Sequence, residues 1–241
     1  MRERRERERE REEKRERERE REREMKRRRE ETEKGFTEIR LAMEELSSSL
    51  TPHEETKAST LALLSLSKQL LHFLDKIGPT LLVLRQDIQQ NVERVEEAYA
   101  KDPSKYSNLT EILMIEVGEG TTRKPNSCTK AILWLTRSTN FAVSLLERLV
   151  KCPELSLREV VEEAYRSTLE PWHGWISSAA YRVALKLIPE REIFVDLLMG
   201  KSLCFEELTG DIKSLLSMLQ PFLDETNAIL KKHRFDKLKS T

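Results

Sequence analysis

Cysteine is scarce in these 241 residues, and the three present, Cys128, Cys152 and Cys204, are widely spaced and odd in number. That argues against a disulfide framework and leaves no Cys-x-x-Cys chemistry. Histidine is as sparse, and His53, His72, His173 and His233 show no metal-ligand spacing with cysteines or carboxylates. No metal and no cofactor is therefore expected. Only seven glycines occur, and none builds a phosphate-cradling loop. Gly-x-Ser-x-Gly and His-Glu-x-x-His are both absent. Nothing recruits a nucleophile or a metal, so the chain is not expected to be an enzyme. Excess charge is missing too, since 43 basic residues balance 43 acidic ones. A general nucleic-acid binder needs a basic surplus, so no nucleic-acid partner is expected. No apolar run approaches the roughly 18 residues of a membrane span, and no apolar h-region opens the chain. The expectation is a soluble, cytosolic monomer with reduced thiols that meets membranes only transiently and peripherally. β-branched alternation appears nowhere over the length of a strand, which points to an all-α fold.

Charge itself is abundant. Residues 1–34 are almost wholly Arg, Glu and Lys, largely in alternation. Alternation sets opposite charges at i,i+3 but like charges at i,i+4, so helix support partly cancels, and no apolar heptad is present. Residues 1–58 are read as a charged N-terminal extension, mostly disordered or a frayed helix, and 59–241 as the functional domain. From Leu61 the apolar spacing becomes helical and runs to Ile77, where Gly78-Pro79 interrupts it. The next helix reaches about Tyr99. A short one through Leu109–Ile115 is followed by a flexible loop over 118–125. Helix signals resume from Ser127 to Val150. Ser156-Leu-Arg-Glu159 is a capping box opening another helix, with a kink or break near Pro171 and Gly174. Pro189 opens a short helix closing at Gly200, and a last one carries Ile212 to Leu230. Seven or eight helices with short connections result.

Three stretches carry the candidate chemistry. In Leu84–Val95, Leu84, Ile88, Val92 and Val95 form a stripe at helical spacing that predicts a core face. Asp87, Asn91 and Arg94 repeat the same spacing, rotated by about 100°. A carboxylate, an amide and a guanidinium thus line one helix edge, a hydrogen-bonding row suited to a hydroxyl-rich ligand. Taken alone, such a row is also what a solvated flank holding an i,i+3 pair looks like. In the second stretch, Trp134, Arg137 and Phe141 share a face. An indole plate can stack on a sugar ring beside a cation, or it can simply fill core. In the third, Trp172-His-Gly-Trp175 sets a histidine between indoles, and helical spacing puts Leu169, His173, Ile176 and Ala180 on one face. There His173 is either a satisfied core residue or a donor to a ligand carbonyl.

Together, Asp87-Ile-Gln-Gln-Asn91, Leu133-Trp-Leu-Thr-Arg137 with Phe141, and Trp172-His-Gly-Trp175 resemble the glycolipid transfer protein family, in family order and near family spacing. Phe73-Leu-Asp-Lys-Ile-Gly78 and Ala184-Leu-Lys-Leu-Ile-Pro189 extend the likeness over roughly residues 60–235. The resemblance implies a two-layer all-helical fold enclosing a hydrophobic lipid tunnel. It also implies a non-enzymatic carrier of one glycosphingolipid between membranes. On that likeness Asp87, Asn91, Arg94, Trp134 and Arg137 would hold the headgroup, and His173 with Asp87 the ceramide amide. Leu81, Leu84, Phe141, Leu169, Tyr181 and Leu185 would line the tunnel. A ceramide-1-phosphate carrier of the same family, or a lipid sensor or helical scaffold with little transfer, are the alternatives. The ceramide-1-phosphate branch places Lys where Asn91 stands and a second Arg where Phe141 stands, the paired cations a phosphate needs. Asn91, Trp134 and Phe141 match the glycolipid branch, in which Lys is usual at the position of Arg94. Trp172 and Trp175 are candidates for membrane contact.

Overall fold

A computed structural model describes residues 35–47, 58–202 and 204–240 of the chain. The charged run 1–34 and the Ser-rich stretch with Thr51-Pro52 lie outside the described residues. Among those described there are nine α-helices and no strand. They are α1 (Glu38–Ser47), α2 (Thr60–Ile77), α3 (Leu82–Lys101), α4 (Leu109–Glu119), α5 (Cys128–Lys151), α6 (Leu157–Thr168), α7 (Trp175–Ala184), α8 (Arg191–Met199) and α9 (Phe205–Lys232).

Local chemistry sets most boundaries. Ser59 caps α2 by accepting from the Ala62 N–H, and Asn108 caps α4 by accepting from the Thr110 N–H. These two caps are stapled side by side, because Thr60 N–H donates to Ser107 C=O at 2.9 Å and Leu109 N–H to Ala58 C=O at 3.0 Å. Gly78 takes φ 100°, a backbone only glycine adopts easily, and Pro79 opens the 3-10 turn Pro79–Leu81 before α3. The expected capping box is present in full: Ser156 Oγ accepts from Glu159 N–H, and the Glu159 carboxylate accepts from Ser156 N–H.

α5 organises the packing. It contacts α2, α3, α4, α6 and α9, and its buried residues run round the helix, from Ala131, Ile132 and Leu133 to Leu135 and Thr136. A helix apolar on every side belongs in the middle of a bundle. By contrast, α7 has no buried residue and leaves Trp175 79 % exposed.

Two sequence expectations need correction. Within the extension read over residues 1–58, the described part carries α1, which packs on α2, α8 and α9 and buries Ile39 and Leu46. Its anchor is Asp211, buried on α9, which accepts from Thr37 Oγ1 at 2.6 Å and from Arg40 at 2.9 Å. Leu84 was placed on the core stripe, yet it is exposed together with Leu82 and Val83, so solvent reaches the whole first turn of α3. Ile88, Val92 and Val95 are buried as expected. Finally, Leu169, His173, Ile176 and Ala180 do not share one helix face. α6 stops at Thr168, a 3-10 turn spans Glu170–Trp172, His173 is extended, and α7 starts afresh at Trp175. Pro171 lacks the N–H that would continue the ladder, and Gly174, in extended backbone, is the residue from which α7 restarts.

Candidate functional site

On α3 the three polar residues are wired to one another. Asn91 is buried, donates from Nδ2 to the Asp87 carbonyl at 2.8 Å, and accepts on Oδ1 from Arg94 Nη1 at 3.1 Å. Arg94 thereby fixes which way the amide faces. Among the described residues, one Asn91 N–H, the remaining Arg94 donors and the Asp87 carboxylate make no further hydrogen bond. Asp87 is solvent-accessible, yet the protein crowding its carboxyl raises its pKa, an effect that the Arg94 charge partly opposes. A carboxylate short of hydration gains more than usual from incoming donors.

α3 lies along α5, where Trp134 and Arg137 meet the segment after α6. The Trp134 and His173 rings are 5.7 Å apart, tilted by 41°. His173 Nδ1 is 3.1 Å from the Tyr165 hydroxyl. Desolvation, and then the Arg137 charge, lower the His173 pKa, so the ring is held neutral. Either group can be the donor in that pair, and the tautomer in which Tyr165 donates to Nδ1 puts the imidazole proton on Nε2. Tyr165 lies on the buried face of α6 and itself stacks on Tyr181 of α7, ring centroids 3.4 Å apart.

Arg137, expected as a headgroup cation, is committed elsewhere. It is 6 % exposed, and its guanidinium lies over the rings of Trp134 and Trp172, at 4.8 and 4.4 Å. It donates to the carbonyls of Leu238 and Asp236, both at 2.7 Å. Burial lowers its pKa to about 10 although Asp236 pulls the other way. The segment it holds leaves α9 through Arg234, whose φ of 60° is left-handed, with Phe235 N–H returning to Leu230 C=O at 2.9 Å. This is a Schellman-type end with arginine where glycine is usual. Ser240 then donates to Trp172 C=O at 2.9 Å and accepts from Gly174 N–H at 2.8 Å. The C-terminal segment is thus a strap from Arg137 to the break between α6 and α7.

Of the expected tunnel residues, Leu81 and Leu185 are buried, Phe141, Leu169 and Tyr181 are half-buried, and Leu84 is exposed. A cleft of about 410 Å³ opens instead among Arg137, Asn140, Trp172, Asn227 and Asp236, and none of those six residues borders it. Sequence reasoning missed Tyr165 and the strap. Tyr165 left a trace, an aromatic on the apolar stripe of the capping-box helix. The strap left none, since its partners lie about a hundred positions away.

Comparison with known proteins finds relatives along most of the chain. A model of the glycolipid transfer protein family fits residues 58–200. Glycolipid transfer protein 3 of Arabidopsis thaliana is 44% identical over 224 residues, 88% of this chain and 96% of that protein. Among solved structures, FAPP2, described as selecting simple glycosphingolipids using the GLTP-fold, superposes with a TM-score of 0.68 at 28% identity. It covers 78% of this chain and 90% of its own. Mouse ceramide-1-phosphate transfer protein shares the fold, with a TM-score of 0.73 at 20% identity over 84% of this chain and all of that one. A family model spanning more than half the sequence, and a relative alike along nearly its entire length, show that this chain belongs to the glycolipid transfer protein family, non-enzymatic carriers of lipid.

Proposed function

We propose that the protein carries one glycosphingolipid, a glycosylceramide, between membranes. The observation that carries this reading is the wired row Asp87–Asn91–Arg94 on α3, beside the helix that bears Trp134 and its neighbour His173. A sugar presents several hydroxyls and an apolar ring face, and this set offers an under-solvated acceptor, fixed donors and an indole plate. The proposed headgroup site is Asp87, Asn91, Arg94 and Trp134. Arg137 is left out because its donors already serve the strap.

At the ceramide amide, His173 Nε2–H donates to the carbonyl, with Tyr165 on Nδ1 holding that tautomer, and the Asp87 carboxylate accepts from the amide N–H. Two hydrocarbon chains follow into the apolar interior past Leu81, Phe141, Leu169, Tyr181 and Leu185. Each CH₂ exposed to water costs about 0.8 kcal/mol, so a lipid with two long chains barely leaves a bilayer unaided. A protein that replaces membrane hydrocarbon with its own removes that barrier without fuel or covalent chemistry. Trp175, 79 % exposed at the start of α7 with Ile176 51 % exposed beside it, is the proposed membrane contact. Among the described residues no helix is long and apolar enough to cross a membrane.

Ceramide-1-phosphate fits less well. A phosphate wants paired cations, whereas Asn91 is neutral, Phe141 is apolar and Arg137 is engaged. The test is vesicle-to-vesicle transfer of a fluorescent glycosylceramide in competition with unlabelled ceramide-1-phosphate. Acceleration by the protein, little competition, and at least a tenfold drop in Asp87→Val and Trp134→Ala are expected, since one charge-assisted hydrogen bond is worth about 1.5–3 kcal/mol. Unchanged transfer by both folded variants would refute the site.

A further inference from the structure

We propose that Tyr181 selects ceramides whose acyl chain carries a hydroxyl on the carbon next to the amide carbonyl; this rests on the carrier reading above and sharpens its ligand. The Tyr181 hydroxyl oxygen is buried and has no hydrogen-bond partner among the described residues. Native proteins rarely leave a buried polar atom unpaired, and an apolar residue of the same shape removes the penalty. Phenylalanine would keep the ring stack and lose only the orphan, so packing does not explain the oxygen.

Its position indicates what would pair with it. The Tyr181 ring lies parallel to Tyr165, 4° between planes and 3.4 Å between centroids. Tyr165 in turn holds His173 through Nδ1 at 3.1 Å. The orphan hydroxyl therefore belongs to a ring one stack removed from the imidazole assigned to the amide carbonyl. The bond next to that carbonyl leads to the second carbon of the acyl chain. The hydroxyl common to all ceramides lies across the amide, on the N–H side assigned to Asp87. Burial, with smaller contributions from Glu162, Tyr165 and Glu170, pushes the Tyr181 phenol up to about 12. It therefore remains a neutral O–H, able to donate and to accept.

The pairing is reciprocal. A 2-hydroxyl entering an apolar tunnel leaves water and needs a partner, and Tyr181 needs one as well. Bringing them together satisfies both, whereas an unhydroxylated chain leaves the phenol unpaired. Discrimination arises from two orphans cancelling rather than from shape.

The experiment uses the full chain in competitive vesicle-to-vesicle transfer of two monohexosylceramides that differ only in an acyl 2-hydroxyl. A third lipid carries its extra hydroxyl on the fourth carbon of the long-chain base. Wild type should prefer the 2-hydroxyacyl lipid on the order of fivefold, the ratio one net hydrogen bond supplies. In Tyr181→Phe the ratio between the two lipids, read within one competition and independent of the absolute rate, should fall to near one. A wild-type ratio of one, a preference that survives Tyr181→Phe, or an equal preference for the base-hydroxylated lipid overturns the assignment. The wild-type ratio is read without any variant, so a folding defect cannot mask it. Movement of neither lipid overturns the carrier reading as well, while movement of both without discrimination overturns only the role of Tyr181.

Discussion

Replacing Arg137 should loosen the C-terminus rather than merely weaken a ligand. Its guanidinium gives two hydrogen bonds at 2.7 Å to the carbonyls of Asp236 and Leu238. At roughly 1.5–3 kcal/mol for each charge-assisted bond, the gross gain is about 3–6 kcal/mol. Two indole faces add about 1 kcal/mol each. Burial of the charge works against this, since a pKa lowered from 12.5 to about 10 corresponds to about 3 kcal/mol at 1.36 kcal/mol per unit. Arg137→Ala should therefore cost about 2–5 kcal/mol, and Arg137→Lys about half of that, because an ammonium keeps the charge but not the fork. With a urea slope of about 2 kcal/mol/M, the Ala variant's midpoint falls by about 1–2.5 M. Amide exchange at residues 235–240 should lose its protection at the same time, and the fluorescence of Trp134 and Trp172 should shift to the red. A headgroup arginine would behave oppositely, with transfer impaired and the unfolding midpoint unmoved. That result, with residues 235–240 still protected, would refute the strap.

Asp211→Ala should detach α1 and cost about 2 kcal/mol, discounted because the side chain of its partner Arg40 is 41% exposed; protease cleavage within 38–47 reports it, and no gain in cleavage there refutes the anchor. His173 makes the fold sensitive to acid. Its pKa in the folded chain lies below the roughly 6.5 of the unfolded one, so the unfolded chain takes the proton first. Stability is lost as pH falls from about 6.5 through the lowered folded value. Urea midpoints measured between pH 7.5 and 5 should fall less steeply for His173→Gln than for wild type, and parallel slopes would contradict the assignment. Trp175→Ala should leave the unfolding midpoint unchanged, because the indole is 79 % exposed, while vesicle binding weakens several-fold; equal binding would remove Trp175 from the membrane contact.

The fold was largely legible because its punctuation is local. Gly78-Pro79, the Ser156–Glu159 box and the Pro171–Gly174 break each act within a turn of their own position, and the helices end where those residues require. What sequence could not show is coverage. Ile39 and Leu46 repeat at helical spacing just as Leu84 continues the stripe of Ile88, Val92 and Val95. The first pair is buried and Leu84 exposed because of which helices lie over them. The tie at the start of the described residues is of the same kind, since Asp211, far along the chain, holds Thr37 and Arg40.

For the candidate site the dividing line is again sequence distance. Asp87, Asn91 and Arg94 could be read as one row because their spacing is that of the helix they stand on, and they are indeed wired through it. Arg137 stands at equally regular spacing from Trp134, and the two do touch. Helical spacing says which side chains are neighbours on a helix, not which groups from elsewhere reach them first. A guanidinium beside an indole is a ligand site or a structural clamp according to whether carbonyls arrive, and here they arrive from residues 236 and 238. Asp87 shows the converse. Arg94 is the one charged group among the causes of the raised Asp87 pKa, and the carboxylate stays accessible to solvent. An accessible acceptor at one end of a wired row, set against a cation whose donors already serve residues 236 and 238, is why the headgroup site is proposed on α3 and not at Arg137.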